Sequence, residues 1–314
     1  MRTCLGPLGR SGDLIRMRGR ATTERRTYLY LILTATITIW GASFVLVDVA
    51  IRDGSSPTMI AMARFIVASA IFAGYLLLKR PKRLAKEDRR VFLSLAFIGI
   101  GVYYIFQYYG VKLAGASISS IVVMLLCPVS IFAISAFKYK EKVTPAEKTG
   151  LAMSAIGCLL VITDGSFSFA SNPGVIIGGL LGVVCAVFWA IYTVAGTKVV
   201  KKYDPMTSTA YITILGTIML APFAVADMAI TGQSFQPSFF VAALYLGVLC
   251  TVVGYVFWFK ALTGLDARAT GSMLYFEPVV TVALAWVVLG EMIGWVSAVG
   301  SVITVVGVLM LSRR

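Results

Sequence analysis

Glu277 is a carboxylate in a run that otherwise favours hydrocarbon, YFEPVVTVALAW (275–286), with Pro278 directly behind it. It stands about eight residues into its apolar segment, so about 12 Å deep at helical rise. A charge at that depth costs about 2.5–3.5 kcal/mol, so the group must be neutral, paired or facing water. Pro278 also removes one helical donor, near the carbonyl of residue 274, which leaves polar backbone beside the side chain. Two functional roles fit Glu277, binding a cationic or amino group and carrying a proton. A structural carboxylate hydrogen-bonded to neighbouring helices is the third reading.

Arg64 is the second ionisable group at such depth. It could pair with Glu277 or meet a solute carboxylate in a bidentate fork; a snorkelling or helix-capping role is the favoured expectation. YYIFQYYG (103–110) puts Tyr104 and Tyr108 on one face at i, i+4 and Gln107 beside Tyr104. With Trp40, Trp189, Tyr192 and Tyr275 these residues could wall a cavity for an amphipathic or cationic solute through stacking and cation-π contacts. Aromatic packing and interfacial placement are the competing explanation. Gln107, with two donors and an acceptor to satisfy in a dry span, is the better binding candidate. Asp48 and Asp227, near helix ends, read as solvated, and Ser119 and Ser120 open a further span. Gly174, Gly178 and Gly182 strip one helix face for close packing rather than cradling phosphate.

What is missing narrows the chemistry. The chain has no histidine, and its five cysteines (Cys4, Cys127, Cys158, Cys185, Cys250) stand singly. That removes the usual zinc ligands, Ser-His and Cys-His catalytic pairs, a His proton relay and any disulfide framework. No metal or other cofactor and no catalytic residue is expected, and an intramembrane enzyme or a channel ranks below a carrier.

The elements that must position these groups are membrane spans. With 59% hydrophobic and 13% charged residues in 314, the chain is too apolar for an ordinary soluble domain. Ten segments are long enough to cross a bilayer: 28–49, 58–78, 91–111, 116–137, 147–163, 174–196, 206–229, 238–259, 269–289 and 293–311. Residues 1–27 read as a basic, disordered cytoplasmic tail, with Met17 as an alternative start. The net charge of +14 would suggest nucleic acid in a soluble protein, but its distribution indicates topology. Of the 28 Lys and Arg residues, 25 fall in stretches on one side; Arg52 and Lys112 lie on the other and Arg64 within a span. An all-α protein with both termini inside the cell follows.

The chain also repeats. Pro128, Glu141, Gly150 and Gly157 recur as Pro278, Glu291, Gly300 and Gly307, all at an offset of 150. Pro57 and Pro205, Gly99 and Gly247, and Lys112 and Lys260 recur at 148, and Trp40 and Trp189 at 149. Five spans per unit is odd, so the second copy (174–311) is inverted relative to the first (28–163). Such repeats allow alternate opening about a midplane site.

IWGASFVLVDVAI (39–51), Pro57 with ARF (63–65), EPVVTVALAWVVLGE (277–291) and GSVITVVGVLML (300–311) resemble the EamA-type transporters of the drug/metabolite transporter superfamily over about 28–311. The resemblance implies a ten-helix inverted-repeat carrier in the cytoplasmic membrane, with a central cavity lined mainly by spans 1, 3, 4, 6, 8 and 9. A small-molecule substrate is expected with it, in a monomer or a homodimer, which the sequence does not distinguish. The expected activity is alternating-access export of an amino acid, amine or similar metabolite, with protons as a coupling ion. The alternative is efflux of cationic or aromatic drug-like compounds. FKYKEK (137–142), where the second copy has VVLGEM (287–292), departs from the repeat.

Overall fold

Helices here start where the sequence supplies a cap followed by proline, whose fixed φ and missing N–H suit the first turn. The Ser56 side chain accepts the Met59 N–H ahead of α2 (Pro57–Lys79). Thr144 and Glu147 form a reciprocal capping box ahead of α5 (Pro145–Thr163). Asp204 accepts the Thr207 N–H at 3.1 Å where α7 (Pro205–Thr231) begins. The computed structural model describes residues 8–81, 84–138, 144–164, 173–200, 202–231 and 233–312.

α1 runs Leu8–Arg52, so helix reaches back into the basic stretch that the sequence reads as a disordered tail. Arg, Leu, Met, Ala and Glu there are good helix formers. α3 (Arg89–Ala96) passes through a π-helical stretch, Phe97–Val102, into α4 (Tyr103–Lys138). The expected spans 91–111 and 116–137 both lie in this run, which breaks at Gly115 (φ 79°, ψ 170°). A backbone of that shape is open to glycine and strained for other residues. α6 (Pro173–Val199) follows, then α7, then α8 (Pro237–Leu244), which enters a second π-helical stretch, Tyr245–Val253, before α9 (Gly254–Leu262).

The expected span 269–289 is also broken. α10 (Ala267–Ser272) ends in a 3-10 turn, Met273–Tyr275, and α11 begins at Phe276 (Phe276–Leu289). Pro278 thereby sits in the first turn of α11, where its missing N–H costs nothing. α12 (Trp295–Ser312) closes the chain. Among the described residues, seven helices are long and apolar enough to cross a bilayer, and two shorter apolar segments, Met273–Leu289 and Trp295–Gly307, accompany them. Large apolar side chains such as Leu78, Phe137, Val287 and Trp295 stand outward, as a lipid solvent requires.

The two sequence units meet along their matched positions. On α5 and α12, a Cβ at Gly157 would lie 2.5 Å from the Gly300 carbonyl, and one at Gly307 2.6 Å from the Gly150 carbonyl. Each contact is the other with repeat positions exchanged. Trp40 packs on Trp189 with centroids 5.4 Å apart, and Ser69 bonds Thr217 at 2.8 Å. Small residues also let α6 approach α4: a Cβ at Gly178 would meet the Gly110 carbonyl at 2.9 Å. At one end of the bundle Arg52, Ala116 and Glu291 interact, as do Ser56 and Asp227. At the other, Ala85, Asp88 and Lys202 gather around Tyr203.

Candidate functional site

Helix breaks surround the centre of the bundle. The first π-helical stretch leads into Tyr103, Tyr104 and Gln107, the second contains Thr251, and the 3-10 turn places Leu274 just ahead of Glu277. Inserted turns of this kind re-aim side chains and recur at functional sites. Trp40, Ser43, Arg64, Tyr103, Tyr104, Gln107, Met124, Trp189, Leu274 and Glu277 line one cavity of about 20 Å³, room for one ordered water. A larger groove of about 380 Å³ lies among Leu84, Arg89, Leu93, Tyr211 and Leu215. No unpartnered buried polar atom faces it among the described residues.

Glu277 is 1% exposed, and its Oε2 has no hydrogen-bond partner among the described residues. It belongs to the first turn of α11, where the helix dipole favours an anion. Thr281 Oγ1 donates to the Glu277 carbonyl at 3.1 Å and to the Gly41 carbonyl at 2.8 Å, tying α11 to α1.

Arg64 neither snorkels nor caps a helix, contrary to the expectation. It is 3% exposed. Its Nε donates to Thr251 Oγ1 at 2.7 Å and its Nη1 to the Tyr108 hydroxyl at 3.0 Å. The guanidinium carbon lies 4.4 Å from the Tyr104 ring centroid and 5.1 Å from that of Phe65. Thr251 is itself anchored, donating to the Leu246 carbonyl at 2.8 Å. Among the described residues no carboxylate forms an ion pair with Arg64, so the pairing with Glu277 is not made in this conformation. Both groups nevertheless line the same cavity.

The aromatic residues fall into three positions. Trp40, Tyr104 and Trp189 line the cavity together with Gln107, whose Nε2 donates to the Tyr103 hydroxyl at 3.1 Å. Trp40 Nε1 donates to the Cys250 carbonyl at 2.9 Å. Tyr108 stands behind the wall and holds Arg64, while Tyr192 stacks on Trp189 at 5.4 Å. Tyr192 and Tyr275 lie outside the lining, and each has a hydroxyl without a partner among the described residues. The Tyr104 and Tyr255 hydroxyls bond to each other, and Tyr255 stands 148 residues after Gln107, the offset that relates Lys112 to Lys260.

Two acids expected to be solvated are buried instead. Asp227 is 8% exposed and accepts from the hydroxyls of Ser56, Thr58 and Tyr109. Asp48 is 4% exposed and accepts from Arg52 Nε at 3.0 Å and the Ala116 N–H at 3.3 Å. Glu291 completes that cluster. Its carboxylate accepts from Arg52 Nη2 at 2.9 Å, from the Ser117 N–H at 3.0 Å and from the Ser117 hydroxyl at 2.8 Å. It thereby caps the helix that restarts after Gly115. Burial alone would raise the Glu291 pKa, but interaction with Asp48 and hydrogen bonds from Ser117 and Ala116 outweigh it and hold the carboxyl below its usual range.

Sequence reasoning missed Thr251, Ser43, Tyr103, Met124 and Leu274, all of types common in any apolar helix. Glu291 did carry a signal, its repeat match to Glu141, which lies outside the described residues.

Residues 26–163 and again 176–313 match the EamA-like transporter family. The chain belongs to that family. It is a multi-pass membrane transporter for a small molecule, not an enzyme. An uncharacterised transporter of Archaeoglobus fulgidus is 32% identical over 286 residues, covering 91% of this chain and 97% of its own length. A probable terminal-alkyne amino-acid exporter of Streptantibioticus cattleyicolor is 25% identical over 294 residues, covering 90% of this chain and 92% of its own. A solved crystal structure superposes with a TM-score of 0.64 at 22% identity, over 92% of this chain and 99% of that one, a likeness of fold.

Proposed function

We propose that this EamA-family chain is a secondary transporter that carries a small polar or amphipathic metabolite out across the cytoplasmic membrane by alternating access. Glu277 sits at the centre of the carrier path. The observation that carries this reading is the buried Glu277 carboxylate with an unpartnered oxygen, facing a cavity shared by both sequence units. A group so costly to bury is a functional site by default in a membrane protein.

The proposed architecture is ten spans in two inverted units of five. At 1.5 Å per residue the 53-residue run Lys86–Lys138 measures about 80 Å, more than twice the hydrocarbon core, so its break at Gly115 makes two crossings of it. Contacts between repeat-matched residues, Trp40 on Trp189 and Ser69 on Thr217, are those of residues lying on a two-fold axis. In this arrangement the Asp48–Arg52–Glu291 cluster closes the outer end and the Asp88–Lys202 ion pair lies at the inner end. A one-water cavity between them is the occluded form, and solute enters when one end parts.

Glu277 also supplies a route to proton coupling, since one carboxylate cannot hold a proton and a cationic group at once. The amino-acid exporter among the relatives favours a metabolite of that class over drug-like cations. The test is a solute panel on purified protein in proteoliposomes, with and without a pH gradient. Expected are saturable flux of at least one amino acid or amine and at least a tenfold loss of that flux in Glu277→Gln. Full flux in the variant would overturn the role of the carboxylate.

A further inference from the structure

We propose that the groove between α3 and α7 binds one anionic phospholipid, its phosphate on Arg89 and the first carbons of an acyl chain along Leu93 and Leu215. The site lies apart from the central cavity and does not depend on which solute is carried.

The groove, about 380 Å³, has the size of a small-molecule pocket, and its lining is graded along the helices. Both helices start at the same end of the bundle, where Asp88 accepts from the Tyr203 hydroxyl. Arg89 opens α3, and Leu93 follows one turn deeper, about 6 Å at helical rise. On α7, Tyr211 stands about 9 Å in from Pro205, and Leu215 one turn beyond it. Charge therefore lies at the mouth, a phenol below it and hydrocarbon deepest, the order of surfaces that a phospholipid itself presents. Leu93 is 40% exposed, so the groove opens to the bilayer. It ends where the two elements close on each other: a Cβ at Gly216 would lie 2.5 Å from Ile100 Cβ.

The charge at the mouth is uncompensated. Among the described residues no carboxylate forms an ion pair with Arg89. Its neighbour Asp88 is held by Lys202 at 2.6 Å and by the Tyr203 hydroxyl at 2.6 Å, and Glu87 acts on Lys202 as well. Lys86 and Arg90, both exposed, stand to either side in the chain. A guanidinium matches a phosphodiester in a two-point fork. A zwitterionic headgroup brings its own cation and answers this excess less well. Basic pockets between spans at the cytoplasmic side hold anionic headgroups elsewhere, and this end is the inner one in the topology proposed above. A soluble phosphate would leave the leucine wall bare, so a lipid is the better occupant. Leu84, Arg89 and Leu93 belong to the first sequence unit and Tyr211 and Leu215 to the second, so the bound lipid bridges the two.

The test is native mass spectrometry on the purified, delipidated full chain. Palmitoyl-oleoyl phosphatidylglycerol is titrated against phosphatidylcholine with the same chains, and glycerol 3-phosphate serves as the soluble competitor. One saturable phosphatidylglycerol site is expected, at least about fivefold tighter than that for phosphatidylcholine, the scale of one basic residue at a membrane surface. Arg89→Gln should remove that preference. Leu93→Trp, which fills the groove and leaves the charge alone, should displace the phosphatidylglycerol. Lys79→Gln, which removes an exposed cation outside the lining, should leave its binding unchanged. Equal affinity for the two lipids overturns the proposal, as does phosphatidylglycerol binding that survives Arg89→Gln or Leu93→Trp. An equal loss in Lys79→Gln would show diffuse surface charge in place of a site, and displacement by glycerol 3-phosphate would show a site for free phosphate. Either result overturns the lipid. If a variant fails to fold, the comparison of the two lipids in the parent protein still decides.

Discussion

If Glu291 clasps the outer end, replacing it with alanine should open the cavity to the outside by an amount the structure sets. The substitution strands the Ser117 N–H at the start of a helix, a lost cap of about 0.5–2 kcal/mol. It also removes the bond to Arg52, whose side chain is 51% exposed, which limits that interaction to about 0–1 kcal/mol. The sum, about 0.5–3 kcal/mol, corresponds to about a 2- to 150-fold shift toward the outward-open form. Ser43 on the cavity wall reports it: in Ser43→Cys, modification by a membrane-impermeant thiosulfonate from outside should speed up by that factor when Glu291→Ala is added. Protonation should act in the same direction. Because the Glu291 pKa is lowered in the folded protein, its contribution is present above the ordinary glutamate value of 4.5 and is lost as pH falls through the lower native value. An unchanged modification rate in a folded Glu291→Ala protein would refute the clasp.

Other substitutions test the packing. Gly157→Val must drive α5 from α12, since a Cβ there would meet Thr304 Oγ1 at 2.3 Å and the Gly300 carbonyl at 2.5 Å. Thermal unfolding in detergent should show a loss of at least about 1–3 kcal/mol. Gly74→Ala, with nothing within 4 Å of the new Cβ, should stabilise by about 0.5–1 kcal/mol in the same assay. Asp227→Ala leaves three hydroxyls from Ser56, Thr58 and Tyr109 without their shared acceptor and should cost about 2–4 kcal/mol. A loss under about 0.5 kcal/mol would show Asp227 to be solvated after all.

The helical membrane class was legible because hydropathy over 20 residues is a strong signal, and Glu277 stood out because a carboxylate is costly in such a run. What escaped was set by local backbone geometry. Nothing in FIGIGV or YLGVLCTVV marks a π-helical turn, so Thr251 could not be paired with Arg64 in advance. Arg64 was misread because depth along a helix says nothing about which way a side chain faces. Asp48 and Asp227 were misread for a related reason: nearness to a helix end implies water only when no neighbouring turn folds over it, and here the turns at Gly115 and Ser56 do. The break after Ser272 followed from Pro278, whose effect the sequence showed but whose position in the first turn of α11 it did not.

The central claim, a solute site held between two inverted five-span units, is tested most directly by the sidedness of two turns. Single cysteines placed at Lys112 and at Gly264 should react with an impermeant reagent from opposite faces of the membrane, the first from outside and the second from the cytoplasm. Labelling of both from the same face would contradict the account.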